Sequence, residues 1–159
     1  MSRILHSALL ALSLSLGVAA PQAALAADPP QQEAATGKVT LTMPVVYATE
    51  SHSNVDPRLE SVARYLKHLR YTGFELLDTQ RVQLAPNGRQ SFNIEGGRKV
   101  TLELLSRDEK RARVRVEIDA GKGTKLMDTT LWVNRNGTFI VAGPRHKDGI
   151  LVLPLTARY

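Results

Sequence analysis

The chain has 159 residues, no cysteine, one tryptophan and a formal charge of +6. The missing cysteine excludes a disulfide framework, thiolate chemistry, cysteine-ligated metal and a lipid-modified N-terminal cysteine. The modest cationic surplus allows attraction to anionic polymers or lipid head groups, and it is equally the charge of an ordinary solvated surface.

Residues 1–26 read as an export signal. Arg3 and His6 form a short basic start, residues 8–20 are rich in Leu and Ala, and Ala24-Leu25-Ala26 supplies the small residues a signal peptidase reads. The apolar stretch falls short of the about 20 strongly apolar residues of a membrane span. Cleavage is expected after Ala26 or Ala27, and the mature chain is expected to carry no transmembrane segment. Export without cysteine points to a bacterial periplasm or the external medium. Residues 27–38, polar and proline-containing, read as a flexible leader, and residues 39–159 as a single β-rich domain.

Val39-Thr40-Leu41-Thr42-Met43 alternates as a first strand, continued in phase by Val45 and Tyr47, with Pro44 implying an edge or a bulge. Asp56-Pro57 opens the one convincing helix, because Asp56 can cap it and proline suits its first turn. Leu59, Val62, Ala63, Leu66 and Leu69 give an apolar stripe, and Gly73 is the expected terminator of a helix of about fifteen residues. Residues 74–84 read as two strands or one kinked strand. Turns follow at Ala85-Pro86-Asn87-Gly88, Glu95-Gly96-Gly97-Arg98 and Arg107-Asp108-Glu109-Lys110, with alternating strands between them. The clearest strand places Ala112, Val114, Val116 and Ile118 on one face and Arg111, Arg113, Arg115, Glu117 and Asp119 on the other.

Residues 126–143 read as a hairpin around Asn136-Gly137, the strongest short-range hairpin signal. Arg135 is then expected opposite Thr138, Trp132 opposite Val141 and Leu131 opposite Ala142. Both faces of such a hairpin are apolar, which predicts central strands covered on both sides and a Trp132 in the core. The fold class is mainly β (α+β): an antiparallel β-sandwich or open barrel with one amphipathic helix near the start of the mature chain.

Two groups of residues are candidate binding surfaces. Arg111, Arg113 and Arg115 lie about 6.5–7 Å apart along one strand face, a spacing that can meet successive phosphates or carboxylates through planar guanidinium forks, with Arg107 and Lys110 extending the row. Arg145, His146 and Lys147 belong to a charged loop before the last strand. The plain alternative for both is a solvated surface, with Glu103 a ready neutraliser of the arginines. No cluster of exposed aromatics interleaves with these arginines, which argues against a single-stranded nucleic-acid platform.

His52, His68 and His146 show no metal-binding spacing, and no nucleophile elbow, phosphate-binding glycine loop or dinucleotide fingerprint occurs. No catalytic residue, cofactor or metal is therefore expected.

Thr130-Leu131-Trp132-Val133, followed by Gly137-Thr138-Phe139-Ile140-Val141-Ala142-Gly143, resembles the β-hairpin in the C-terminal part of outer-membrane secretins. The resemblance covers about 30 residues; here the usual second glycine is Ala142. The mature chain also resembles small exported bacterial proteins of unknown function, in its Asp-Pro-Arg-Leu helix start and its Gly-Gly-Arg and Gly-Pro-Arg turns. Neither resemblance brings an activity. The expected function is that of a non-enzymatic exported domain that binds another envelope or secreted macromolecule, such as a protein partner. The alternatives are a binder of anionic envelope polymer or lipid head groups through the arginine face, and a small hydrolase using His52 or His146 with nearby carboxylates.

Overall fold

A computed structural model describes residues 37–159. The export signal and nearly all of the leader lie outside the described residues.

Eight strands build two antiparallel sheets of four. β1 (Val39–Thr49), β2 (Gly73–Leu84), β7 (Thr138–His146) and β8 (Gly149–Arg158) form the first, in the order β2-β1-β8-β7. β3 (Arg89–Ile94), β4 (Arg98–Arg107), β5 (Arg111–Ala120) and β6 (Thr124–Asn134) form the second, in sequence order. The main core lies between the sheets, so the arrangement is a β-sandwich. One sheet contributes Leu41, Met43, Val45, Leu151, Leu153 and Leu155, the other Leu102, Leu104, Val114, Val116, Ile118 and Val133, all at most 1% exposed. Period-two alternation makes this possible, since every second side chain of a strand meets the facing sheet.

A second apolar cluster sits on the outer side of the first sheet. Val46, Ala48, Phe74 and Val152 pack there against Leu59, Val62 and Leu66. Those last three belong to a 3₁₀ turn, Pro57–Leu59, running into α1 (Glu60–Leu66). Asp56 caps the start: its carboxylate accepts from the Arg58 N–H at 2.9 Å and from the Arg58 guanidinium, which together lower its pKa to about 2.

Four expectations need correction. The helix is shorter than the apolar stripe. Beyond Leu66 the chain turns, with the Leu69 N–H on the Leu66 carbonyl at 2.9 Å, and Thr72 is already tied to the Thr49 carbonyl of β1 at 3.1 Å. Gly73 opens β2 rather than ending the helix; a Cβ there would collide with the His52 ring.

Pro44 is in a central strand, not at an edge. The β1–β8 ladder runs through Thr42↔Thr156 and resumes at Val46↔Val152, a register that sets Pro44 opposite Pro154. Two residues that both lack an N–H coincide, so one short gap absorbs both. A bulge does occur beside it, on β2, where Val45 faces Asp78 and Val46 faces Leu76. Residues 74–84 therefore form one kinked strand.

The expected 126–143 hairpin does not form. β6 pairs with β5 and β7 with β8, so the turn between them carries the chain from one sheet to the other, and both are edge strands. The Gly137 N–H bonds the Asn134 carbonyl at 2.8 Å, the Asn136 N–H bonds the Ala157 carbonyl at 2.8 Å, and Asn136 alone takes positive φ, at 57°. A turn with one left-handed residue, anchored to β8, is a corner rather than a type I′ hairpin.

Trp132, expected in the core, is 43% exposed. Its cross-strand partner is Arg113, not Val141.

Candidate functional site

The outer face of the second sheet is built by the strand parity that buries its other side. From β5 come Arg111, Arg113, Arg115 and Glu117; opposite them on β6 stand Asn134, Trp132, Thr130 and Asp128. Across β4 the neighbours of Arg115 and Glu117 are Glu103 and Thr101, and β3 adds Arg89 and Ser91.

This face has two chemically different halves. In one, cations and carboxylates are matched. Arg115 makes a two-pronged contact with Asp128, at 2.8 and 2.6 Å, and lies 3.4 Å from Glu117. Lys125 reaches Glu117 at 2.8 Å and Asp128 at 3.0 Å, and Arg89 reaches Glu117 at 2.8 Å. The Lys125 hydrogen bond, with Arg115 nearby, holds the Glu117 carboxyl below the usual range. Arg115 and then Lys125 do the same for Asp128. These charges neutralise one another through Glu117 and Asp128; Glu103, the expected neutraliser, takes part in no ion pair among the described residues.

The other half is only partly neutralised. The Arg111 guanidinium lies 4.2 Å from the Trp132 ring centroid and that of Arg113 5.9 Å from it. Arg111 has one distant carboxylate, Asp108, at 3.7 Å; among the described residues Arg113 takes part in no ion pair. Cation–π contact holds guanidinium planes against an indole without cancelling their charge. At the same end of the sandwich Arg107 and Arg135 approach the Tyr159 ring, at 5.0 and 5.4 Å. The outer sheet face at this end is cationic and partly aromatic.

The structure thus brings Arg111 and Arg113 together with Trp132, leaves Arg115 on the same face but paired, and separates all three from Arg145, His146 and Lys147. The latter lie at the opposite end of the sandwich, on the other sheet, and they are not all loop as expected: Arg145 and His146 are the last residues of β7, paired with Ile150 and Gly149, and Lys147 begins the turn to β8. That turn is knitted to β1. The Tyr47 hydroxyl donates to Asp148, Thr49 Oγ1 donates to it at 3.2 Å, and Lys147 lies 5.4 Å from the Tyr47 ring. The hydrogen bond raises the Tyr47 phenol pKa and lowers that of Asp148. His146 packs edge-on against Tyr47 at 5.6 Å, its Nε2 buried with no partner, and Arg98 donates to the Arg145 carbonyl at 2.6 Å. His52 is held elsewhere: Nδ1 accepts from the Asn54 N–H at 3.2 Å, which leaves the proton of the neutral ring on Nε2, facing Glu75 at 3.1 Å. Asp148 is engaged by hydroxyls and Glu75 by His52.

Strand parity contained the signal for the exposed indole. Trp132 shares its parity with Asp128, Thr130 and Asn134, and the buried Leu131 and Val133 have the other.

Fold and face together describe a β-sandwich presenting an incompletely neutralised arginine–aromatic surface. No family model, curated protein or solved structure matches the chain. Among the described residues no helix is long and apolar enough to cross a membrane, and no group of three or more His, Asp or Glu could hold a metal ion.

Proposed function

We propose that this chain is an exported, non-enzymatic binding module that holds an anionic envelope polymer on the outer face of its second sheet. The observation supporting this reading is the contact of Arg111, at 4.2 Å, and the approach of Arg113, at 5.9 Å, to the exposed Trp132 ring, without full neutralisation by carboxylates. Guanidinium forks suit carboxylate, sulfate or phosphate groups repeated along a chain, and an indole face suits the apolar side of a sugar ring or a cation. An exposed sheet face suits an extended polymer better than a small molecule, which needs a concave site.

The test is retention of the full chain on dextran sulfate across a salt gradient, with Trp132 fluorescence followed on addition of the soluble polymer. Arg111→Ala with Arg113→Ala is expected to move elution to much lower salt and to abolish the fluorescence change. Unchanged elution in the double variant overturns the reading. Anionic lipid head groups present the same chemistry, and vesicles containing phosphatidylglycerol separate that source from a polymer.

A second reading, a protein partner, has one observation in its favour. Phe139, 44% exposed, lies with Met127, Thr129 and Ala142 in the seam where edge strands β6 and β7 leave backbone groups unpaired. Such edges accept an added strand. Binding that survives Arg111→Ala with Arg113→Ala but is lost in Phe139→Lys would favour it.

A further inference from the structure

The outer side of the first sheet is divided crosswise. One half, carrying Val46, Ala48, Val152, Ile140 and Leu76, lies under α1 and its flanking turns. Pro44 and Pro154 mark the border. Beyond them the outward positions become hydroxyl and guanidinium groups, and no element covers them in the described residues.

The registers place these groups in rows. Arg81 on β2 faces Thr42 on β1, Thr42 faces Thr156 on β8, and Thr156 faces Thr138 on β7, so one line crosses the whole sheet. The next row out holds Gln83, Thr40 and Arg158. Neighbouring strands are about 4.8 Å apart and successive rows about 6.7 Å apart, so Arg81 and Arg158 stand diagonally across Thr42 and Thr156. Arg64 overhangs the same place from α1, its guanidinium stacked 4.6 Å from the Tyr65 ring and bonded to the Tyr65 hydroxyl at 2.6 Å. Thr42, Thr79, Thr138, Thr156, Arg64, Arg81 and Arg158 line a cleft of about 290 Å³, together with Ser61, Asn136, Pro44 and Val62.

The composition of this lining is what carries the inference. Three guanidinium groups and five hydroxyls line the cleft, and among the described residues not one carboxylate does. Among the described residues none of Arg64, Arg81 and Arg158 takes part in an ion pair, whereas the half of the second sheet around Glu117 matches its cations closely. Grouped like charges repel unless an anion joins them. Thr138 and Thr156 bond each other at 2.7 Å, so that pair retains one hydroxyl proton to donate into the cleft. A metal ion would find no anionic ligand here, and a neutral sugar would find no aromatic floor. We infer that this cleft is a second site, on the opposite face of the sandwich from the polymer surface, and that it binds a single phosphate or sulfate group.

The group could belong to the free inorganic anion or to a small ester, and calorimetry on the full chain separates them. Sodium phosphate, sodium sulfate and glycerol 3-phosphate are titrated against sodium chloride at matched ionic strength, with chemical shifts of the Thr42 and Thr156 amides as a site-specific readout. Saturable binding absent with chloride is expected, weakened at least tenfold by Arg81→Ala with Arg158→Ala and severalfold by Thr156→Val, and unaffected by Arg111→Ala with Arg113→Ala. Tighter binding of the ester assigns the site to a phosphorylated small molecule; equal binding assigns it to the free anion. Should the double alanine variant fail to fold, Arg81→Gln and Arg158→Gln singly carry the same expectation, severalfold each. A response indistinguishable from chloride, or affinity retained in the arginine variants, overturns the inference. Loss of binding only in the Arg111 and Arg113 variant would assign the anion to the polymer face and overturn it as well.

Discussion

Glu117→Gln tests the charge matching on the second sheet. The Glu117 side chain is 11% exposed and touches Arg89, Arg115 and Lys125, at 2.8, 3.4 and 2.8 Å. Breaking a fully buried pair costs about 3–5 kcal/mol and an exposed pair about 0–1. The three cations are 58, 38 and 49% exposed, which moves the expectation toward the surface end, about 1–2 kcal/mol at neutral pH. The folded carboxyl titrates below its ordinary value of 4.5, so its stabilisation is complete above that pH and is lost as pH falls through the lower folded value. The gap between wild type and variant in urea unfolding should therefore be widest at neutral pH and close below pH 4.5, as the native carboxyl itself becomes neutral. The same substitution frees Arg89 and leaves Lys125 to Asp128 alone, so retention on dextran sulfate should rise while stability falls. A variant as stable as wild type at pH 7, or a stability gap independent of pH down to acid, would refute the matched-charge account. Weaker retention would refute the link to the free arginine half.

Three further outcomes follow from particular contacts. Leu153→Ala removes a side chain with no exposure from the centre of β8 and should cost about 2–5 kcal/mol in urea unfolding with an unchanged denaturant slope. Pro154→Val gives β8 an N–H directed at the Pro44 carbonyl. One new bond of about 0.5–1.5 kcal/mol is offset by about 0.4–1 kcal/mol of lost proline stiffening, so stability should barely change while the new amide exchanges slowly; rapid exchange would contradict the proline pairing. Asp148→Asn removes the carboxylate that raises the Tyr47 phenol, so the Tyr47 resonances should titrate at lower pH than in wild type, and an unmoved titration would mean the turn is held another way.

Where local periodicity and burial coincide, the sequence was sufficient. The alternation in β5 placed Ala112, Val114, Val116 and Ile118 inward, and each is at most 1% exposed. The turns at Asn87, Gly96 and Gly97 were announced by residues that tolerate positive φ, and they have it. The hairpin failed for a physical reason. Asn-Gly specifies a tight reversal, but whether the strands on either side then pair depends on what else their edges can bond. β5 and β8 offered β6 and β7 long antiparallel partners, and the reversal became a corner between sheets. The apolar residues of 126–143 belong to two edge strands of different sheets rather than to one central ribbon, and on β6 only one face is apolar: Leu131 and Val133 are buried, while Asp128, Thr130 and Asn134 share the outer face with Trp132. The helix was overestimated because an apolar stripe persists through a turn as readily as through a helix when the sheet beneath it is apolar.

The candidate sites were less legible, since their chemistry depends on cross-strand neighbours many residues apart. Arg113 and Arg115 are indistinguishable along the chain, two positions apart on one face. What separates them is β6, which sets Trp132 beside the first and Thr130, next to Asp128, beside the second. One arginine is thereby stacked and left charged, the other clamped and neutralised. The cleft on the first sheet was hidden for the same reason: Arg81, Thr42, Thr156 and Thr138 come from four strands and form one row only through three registers. Threonine in a strand signals β-propensity, and lone arginines signal a wet face. Their meaning changes when they converge with no carboxylate among them, because a surface evolved merely for solubility mixes its signs, as the other half of this protein does around Glu117. Charge left unmatched in two places, on opposite faces, is the pattern that a single anionic partner would not require.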